Sequence, residues 1–390
     1  MSEWKKVKLD ELYEVHNGLS KGRQFFGTGF PFLTFSNVFN NWFLPKQLES
    51  LVQTTDKERE ACSIKAGDVF ITRTSETMDE LGMSSVALKD YPNATYNGFT
   101  KRLRPITDRV NPRYIGYYLR TSKFRGQFMA FSTMTTRASL ANNDLLNMEV
   151  ELPPMEIQHR IATILSRYDS LIENYQKQIK LLEEAAQRLY KEWFVDLHFP
   201  GHEKTKIVDG VPEGWEKKKV GYLIAKSQRT KQVPANEYLK TGSIPVIDQS
   251  RNYIAGYTND DECLVSVTTP YIIFGDHTRV LKFIPFPFAK GADGTQLIMS
   301  NDLNRMPQSL FYNSLINIDL SNYSYARHFK YLKEEEIIVS TTDVSMKYDL
   351  LVSKYYQCIQ NNREQIHLLT EARDRLLPKM MSGEIEFNFK

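Results

Sequence analysis

QIKLLEEAAQRL at residues 178–189 returns, 187 positions later, as QIHLLTEARDRL at residues 365–376. Across the wider windows 172–189 and 359–376, 10 of 18 aligned positions are identical. Each copy lies in a long run with helical periodicity, and each run follows a block of mixed, strand-like sequence. This order of block, helix, block and helix predicts two similar modules joined by two helical spacers.

The first helical run carries apolar residues every three or four positions, from Ile157 and Ile161 to Leu189 and Trp193. Such spacing is typical of a heptad seam. No Gly or Pro interrupts the chain between Pro154 and Pro200, and Pro-Gly at 200–201 is a stop signal. At about 1.5 Å per residue, some 42 helical residues make a rod of roughly 60 Å.

The second helical run begins near Asp343 and is expected to close at Pro378 and Gly383. Its predicted seam is Val344, Tyr348, Leu351, Tyr355, Cys358, Ile366, Leu369, Ala372 and Leu376. A single amphipathic helix cannot bury its own apolar stripe, and the simplest partner for each helix is the other copy. We therefore predict an antiparallel coiled coil, with packing of each helix on its own block as the open alternative.

The two blocks share an opening phrase, EWKKVKLDELYEV at 3–15 and GWEKKKVGYLIAK at 214–226, and both end in an apolar strand. We predict an α+β chain in which two mixed α/β domains are separated by the long helices, with an internal pseudo-twofold repeat. The expected segments are a first domain 1–152, a central spacer helix 153–199, a linker 200–212, a second domain 213–340 and a C-terminal spacer helix 341–384.

The block interiors diverge between the two copies, which is typical of related modules with different specificities. Polar turns leave apolar strands at Arg73 and His277, and such side chains read base edges of DNA, while lysines and arginines contact phosphates. The predicted DNA-binding residues are Arg73, Thr74, Ser75, Lys101, Arg102, Thr136, Arg137, Lys218, Lys219, His277, Thr278, Arg279, Arg327 and His328.

Composition restricts the alternatives further. The net charge is only +3, so the overall charge does not by itself indicate a nucleic-acid partner. Three cysteines, Cys62, Cys263 and Cys358, are too far apart for zinc spacing or a disulfide framework. The opening MSEWKKVKLD is not a signal peptide, and no apolar run approaches the ~20 residues of a membrane span. We expect a soluble cytoplasmic protein without a metal site.

Catalytic motifs are weak. The FFGTG at 25–29 and NPRY at 111–114 resemble fragments of an adenine methyltransferase. The glycine segment, however, neither follows a buried strand nor opens a helix, and NPRY lacks a second proline. There is no GxxxxGK[ST] and no HExxH. No set of acid, base and nucleophile emerges, so we expect no catalytic residue in this chain.

Four long phrases resemble the specificity subunit of type I restriction-modification systems: LPPMEIQHRIA at 152–162, RLYKEWFVDLHFPGHE at 188–203, VPEGWEKKKV at 211–220 and EARDRLLPKMMSGEIEF at 371–387. The resemblance covers essentially the whole chain in the right order. It implies two target-recognition domains that each bind half of a split site in double-stranded DNA. It also implies a non-catalytic chain that docks two modification subunits and a restriction and translocase subunit.

The resemblance places the cofactors elsewhere. It implies none in this chain, with S-adenosylmethionine, ATP and Mg²⁺ belonging to partner subunits. Two other functions stay open at this point: a coiled-coil adaptor that does not bind DNA, and a free-standing adenine methyltransferase. Salt-dependent binding to duplex DNA would exclude the first, and the absence of cofactor binding would exclude the second.

Overall fold

The computed structural model describes residues 4–75, 81–131, 138–226, 230–323 and 327–385. The chain divides into two compact units. Unit 1 comprises Met1–Glu173 together with His367–Lys390, and unit 2 comprises Asn174–Ile366. Both long helices therefore supply residues to both units.

Unit 1 is built on a four-stranded antiparallel sheet in the order β2-β9-β5-β7 and a three-stranded sheet in the order β4-β3-β8. Two further ladders pair β1 with β11 and β6 with β10. The strands and helices are β1 (Lys5–Lys8), β2 (Tyr13–Asn17), β3 (Phe26–Leu33), α1 (Phe35–Asn40), β4 (Leu51–Val52), α2 (Asp56–Ala61), β5 (Val69–Thr72), β6 (Thr74–Ser75), β7 (Ser84–Val86), β8 (Thr95–Tyr96), β9 (Thr100–Pro105), α3 (Pro112–Tyr118), α4 (Ser122–Phe131), β10 (Ala138–Ser139), α5 (Asn142–Leu146), β11 (Glu149–Leu152) and the start of α6 (Met155–Tyr190).

Unit 2 contains a five-stranded sheet, in which β15-β21-β16-β17 are ordered and β18 also pairs with β21, and a three-stranded sheet β20-β19-β22. The elements are β12 (Ile207–Val208), β13 (Val211–Pro212), β14 (Glu216–Lys219), α7 (Val220–Leu223), β15 (Gln232–Val233), β16 (Ile244–Ile247), β17 (Gly256–Thr258), β18 (Leu264–Val265), β19 (Tyr271–Gly275), β20 (Leu281–Ile284), β21 (Phe288–Gly291), β22 (Thr295–Ile298), α8 (Gln308–Ile316), α9 (His328–Glu334), β23 (Glu336–Val339) and the start of α10 (Thr342–Met381).

The opening strand of each block pairs with the strand that precedes a long helix. Lys5↔Leu152 begins the antiparallel β1–β11 register in unit 1, and Glu216↔Val339 begins the β14–β23 register in unit 2. The two ladders therefore bring the start and the end of each block together at the first turn of α6 and of α10.

The core of unit 1 joins the sheets to both long helices. Tyr114, Tyr117 and Phe124 are fully buried, and they cluster with Ile161 of α6 and with Leu377 of α10. The core of unit 2 is an aromatic cluster in which Phe194 and Tyr348 meet edge to face with ring centroids 5.2 Å apart. Burial of such rings is the main stabilising contribution available to either unit.

The two long helices differ in how they end. α6 has 36 residues and passes into a single wide turn at Lys191–Val195, before Gly201 with its positive φ of 96°. α10 has 40 residues and carries Pro378 inside it. The expectation that Pro378 closes the second helix is therefore wrong, because the helix runs three residues further, and Gly383 follows with φ 75°.

The two helices contact each other in reversed order within unit 2. Asn362 donates to Gln178 at 3.3 Å, whereas the Tyr348 hydroxyl donates to the carbonyl of Ala186 at 3.2 Å. As the chain advances along α6, its partner therefore moves back along α10. Within unit 1, Arg373 of α10 pairs with Asp169 of α6 at 2.7 Å.

The predicted seam of α10 is correct at Val344 and Tyr348 but wrong at Leu351 and Cys358. Leu351 is 42% exposed and Cys358 is exposed, while the neighbouring stripe of Val352, Tyr356 and Ile359 is buried. The reason is the position of the block, because Tyr356 stacks on Phe283 of β20 with ring centroids 4.5 Å apart. This part of α10 packs on its own block, as the alternative interpretation allowed.

Candidate nucleic-acid interface

The first polar turn lies at the end of β5, and its backbone is held by two neighbouring segments. Arg73 N donates to the carbonyl of Phe99 at 3.0 Å, and the Arg73 carbonyl accepts from Leu140 N at 3.0 Å. Thr74 and Ser75 form β6, which pairs with β10. The Nε of Arg73 is buried and has no hydrogen-bond partner among the described residues. These contacts fix the backbone of the turn at the end of β5.

Phe99 was missed by the sequence reasoning. It precedes β9, next to Arg73, and its side chain is 57% exposed. An exposed aromatic ring beside polar donors suits stacking on a base or contact with a thymine methyl group. Only its place in a phrase rich in Gly, Asn and Thr, NGFTK at 97–101, could have marked it.

Lys101 and Arg102 lie on β9, after Phe99. Both are buried, with 4% of each residue exposed. Lys101 donates to Asn142, and Arg102 donates to the carbonyl of Ser63 at 2.8 Å. Burial lowers the pKa of the Lys101 ammonium, and the positive charge of Arg73 lowers this pKa further. Phosphate contact by these two residues stays a prediction, and they are not part of the proposed contact set because both are buried.

The second polar turn follows β19 in unit 2 and is braced by Gln249. The Gln249 side-chain oxygen accepts from His277 N at 3.1 Å, and its carbonyl accepts from the Thr278 hydroxyl at 2.6 Å. Gln249 also donates to the carbonyl of Asp293 at 3.0 Å. Three loops therefore converge, and the side chains of His277, Thr278 and Arg279 remain exposed.

Gly294 is required at this point by its backbone and by space. Its φ is +71°, and an added Cβ would lie 2.8 Å from side-chain atoms of both Gln249 and His277. Arg279 has φ +61°, and its guanidinium donates to the carbonyl of Leu320 at 2.9 Å. The turn is a rigid platform, which suits readout of base edges.

Arg327 and His328 have different surroundings. Arg327 is exposed, whereas His328 is 5% exposed. Both ring nitrogens of His328 face carbonyl oxygens at 2.9 Å, one of Asp276 and one of Tyr323. His328 therefore supports the His277 turn from below, and we also omit it from the proposed contact set.

The remaining predicted residues lie elsewhere. Lys218 and Lys219 are on β14, in a different sheet from β19, and they pair with Glu216 at 2.9 Å and Glu334 at 2.8 Å. The hydrogen bond that Lys219 donates to the Glu334 carboxylate raises the pKa of Lys219. Thr136 and Arg137 fall outside the described residues. For all these residues, DNA contact stays a prediction.

The methyltransferase fragments occupy structural positions. Asn111 is the N-cap of α3, and its side chain accepts from Arg113 N at 2.9 Å and Tyr114 N at 3.0 Å. The FFGTG segment runs along β3 rather than opening a helix. Within the ranges that the structure describes, no cluster of three or more His, Cys, Asp or Glu side chains could hold a metal ion. Over the same ranges, no helix is long and apolar enough to cross a bilayer.

The geometry is that of a modular recognition protein: two separate units, each with a braced polar turn. The family model for the type I restriction modification DNA specificity domain matches residues 1–184. The MjaIX specificity subunit of a type I restriction enzyme from Methanocaldococcus jannaschii is 27% identical, over 98% of this chain and 94% of that protein. The corresponding EcoR124I/EcoR124II subunit of Escherichia coli is 32% identical over 26% of this chain and 25% of its own length.

A solved structure shows the same fold. The S subunit of a type I restriction-modification system from M. genitalium matches with a TM-score of 0.59 at 16% identity, over 97% of this chain and 96% of that one. Residues 1–184 thus match the DNA specificity domain of type I restriction-modification systems, and the chain over almost its whole length is similar to specificity subunits of such systems.

Proposed function

We propose that this chain reads a bipartite site in double-stranded DNA, with residues 1–152 and 213–340 as two target-recognition domains. The observation that carries the proposal is the similarity of residues 1–184 to the DNA specificity domain, together with the similarity of 98% of the chain to a specificity subunit. The turn at Arg73 with Phe99 would contact one half-site, and the turn at His277 with Arg327 would contact the other. Both surfaces combine hydrogen-bond donors with exposed side chains on a fixed backbone.

The long helices supply the spacer in this proposal. We infer that α6 and α10 form an antiparallel coiled coil along their length and relate the two domains by a pseudo-twofold repeat. The 36 residues of α6 give about 54 Å, against about 34 Å for one DNA turn. Two domains on such a spacer reach grooves one to two turns apart, so the gap between the half-sites is fixed by the helices.

The catalytic partners act around this chain. We propose that two modification subunits dock on the helices, bind S-adenosylmethionine and flip an adenine within each half-site. A restriction and translocase subunit with ATP and Mg²⁺ would complete the nuclease. This chain then supplies sequence choice alone.

The test is selection from a random duplex library. The chain is purified with a modification subunit of a type I system, and bound or methylated DNA is sequenced. We expect two short motifs separated by a constant gap, and affinity that falls steeply with salt because phosphate contacts release counterions. DNA without any split motif contradicts the proposal, and a complete lack of salt-dependent DNA binding supports the adaptor alternative.

A further inference from the structure

An arginine of α10 joins each block to α6, away from the polar turns. In both units this arginine pairs with a carboxylate of α6 and lies over an aromatic ring of the block. The unit 1 clasp consists of Arg373, Asp169 and Trp42. The unit 2 clasp consists of Arg363, Glu183 and Tyr253.

The unit 1 clasp is well shielded. Arg373 bonds Asp169 at 2.7 Å, with 13% and 28% of the two side chains exposed. Its guanidinium carbon lies 5.0 Å from the centre of the Trp42 ring. The Tyr117 hydroxyl donates to the other oxygen of Asp169, so both carboxylate oxygens are used. Burial, followed by the charge of Asp169, raises the pKa of Tyr117.

The unit 2 clasp stacks more closely. The guanidinium carbon of Arg363 lies 3.7 Å from the centre of the Tyr253 ring, and Arg363 bonds Glu183 at 3.2 Å. The Tyr253 hydroxyl donates to the carbonyl of Phe283 at 2.7 Å. Planar stacking together with a directed ion pair is a geometry that arginine makes and lysine does not.

The two clasps are not copies of each other. The repeat offset of 187 residues places Arg373 on Ala186 and Arg363 on Gln176, and neither residue can replace an arginine. The same contact has therefore been made separately in each unit with different helix positions. Because the contact occurs at different helix positions in the two units, we infer that it has a role beyond packing retained from the sequence duplication.

The unit 2 clasp is connected to the polar turn through one loop. Residues 248–254 lie between β16 and β17, and this loop carries both Tyr253 of the clasp and Gln249, the brace of the His277 turn. The path from α10 to the turn thus runs through Arg363, Tyr253 and Gln249. Movement of the loop on the helices would tilt the turn without changing the side chains it presents.

We propose that Arg363 is a positioning residue that sets how strictly the gap between half-sites is measured. Glu183 and Tyr253 act with it, and none of the three contacts DNA. This inference rests on the proposed bipartite function. We expect that loss of the unit 2 clasp broadens the range of gap lengths that the complex accepts and leaves the base sequence of each half-site unchanged.

The experiment repeats the random-duplex selection with Arg363→Met in the complex with the modification subunit. Preference for the native gap over gaps one base pair longer or shorter is expected to fall roughly fivefold, which corresponds to about 1 kcal/mol and to one partly exposed cation–π contact. Arg363→Lys should give an intermediate loss, because charge is kept and stacking is not. Arg375→Met is the control, since Arg375 is 77% exposed and pairs with Glu371 of its own helix.

The outcomes separate the two ideas. If the wild-type complex selects no split site, the proposed function fails. If it selects one and both Arg363 variants keep the wild-type gap distribution, the positioning role alone fails. Circular dichroism checks that Arg363→Met is folded, and where it is not, Arg363→Lys and Tyr253→Leu decide the matter by the same gap measurement.

Discussion

Replacement of Arg120 by methionine should destabilise the C-terminal end of α1 in unit 1. Arg120 donates to the carbonyls of Val38 at 2.8 Å, Phe39 at 3.0 Å and Asn41 at 2.9 Å, and its Nε donates to the carbonyl of Ser84 at 2.7 Å. Three of these acceptors end α1, a helix of six residues whose last carbonyls have no intrahelical partner. Arg120 is therefore the C-terminal cap of α1.

The magnitude follows from the acceptors left behind. An unsatisfied buried acceptor costs about 1–3 kcal/mol, and four lose this partner. Arg120 is only partly buried, so water replaces some of the lost bonds and we expect about 3 kcal/mol in total. Burial lowers the pKa of Arg120 to about 10, which leaves it charged at neutral pH. The loss should therefore be present throughout the neutral range.

Hydrogen exchange of peptides spanning α1 and Trp42 measures this local free energy, since a chain with two units need not unfold in one step. Arg109→Met is the matched control, because Arg109 is 51% exposed, lies 3.7 Å from Glu11 and should contribute below about 0.5 kcal/mol. A loss of protection no larger than that of the control would refute the capping role.

Three further outcomes are expected. Burial lowers the pKa of Lys282 from 10.5 to about 8, although the charge of Asp248 opposes this shift. Between these two pH values the unfolded chain binds more protons than the folded chain, so unit 2 gains stability as the pH rises from 8. Hydrogen exchange of β20 at pH 7.5–9.5 should show this gain, and Lys282→Met should lack it. Phe99→Ser should weaken DNA binding by about 1–3 kcal/mol with an unchanged salt slope, because a stacking contact is lost and no phosphate contact is; a changed slope in filter binding contradicts the assignment. Insertion of one heptad into α6 lengthens it by about 10 Å, or about three base pairs, so the selected gap should change while the half-site letters do not; altered letters with an unchanged gap argue against the spacer role.

The sequence was informative where a pattern repeats over many residues. Apolar spacing located both long helices, which the structure gives as Met155–Tyr190 and Thr342–Met381, whereas proline placement helped only for the first. It was misleading where two apolar stripes lie side by side. Leu351 and Val352 are equally apolar, and only the position of Phe283 on the block decides which one is buried.

The polar turns show the same division. The exposed turn at His277 follows from a strand that ends in polar residues, which a sequence displays directly. Gln249 could not be predicted as its brace, because the two lie 28 positions apart and meet only through the fold. For the same reason His328 reads as a surface residue in sequence, although two carbonyls enclose its ring.

The division of the chain into two units has a consequence for folding during synthesis. Unit 2 is one uninterrupted stretch, whereas unit 1 needs Leu377, Met380 and Met381 for its core. On the ribosome, the module that emerges first therefore completes its core only after the whole of the later module has been synthesised. A premature stop just after Ile366 would keep every residue of the later module, whereas the earlier module would lack the residues of α10 that complete its core.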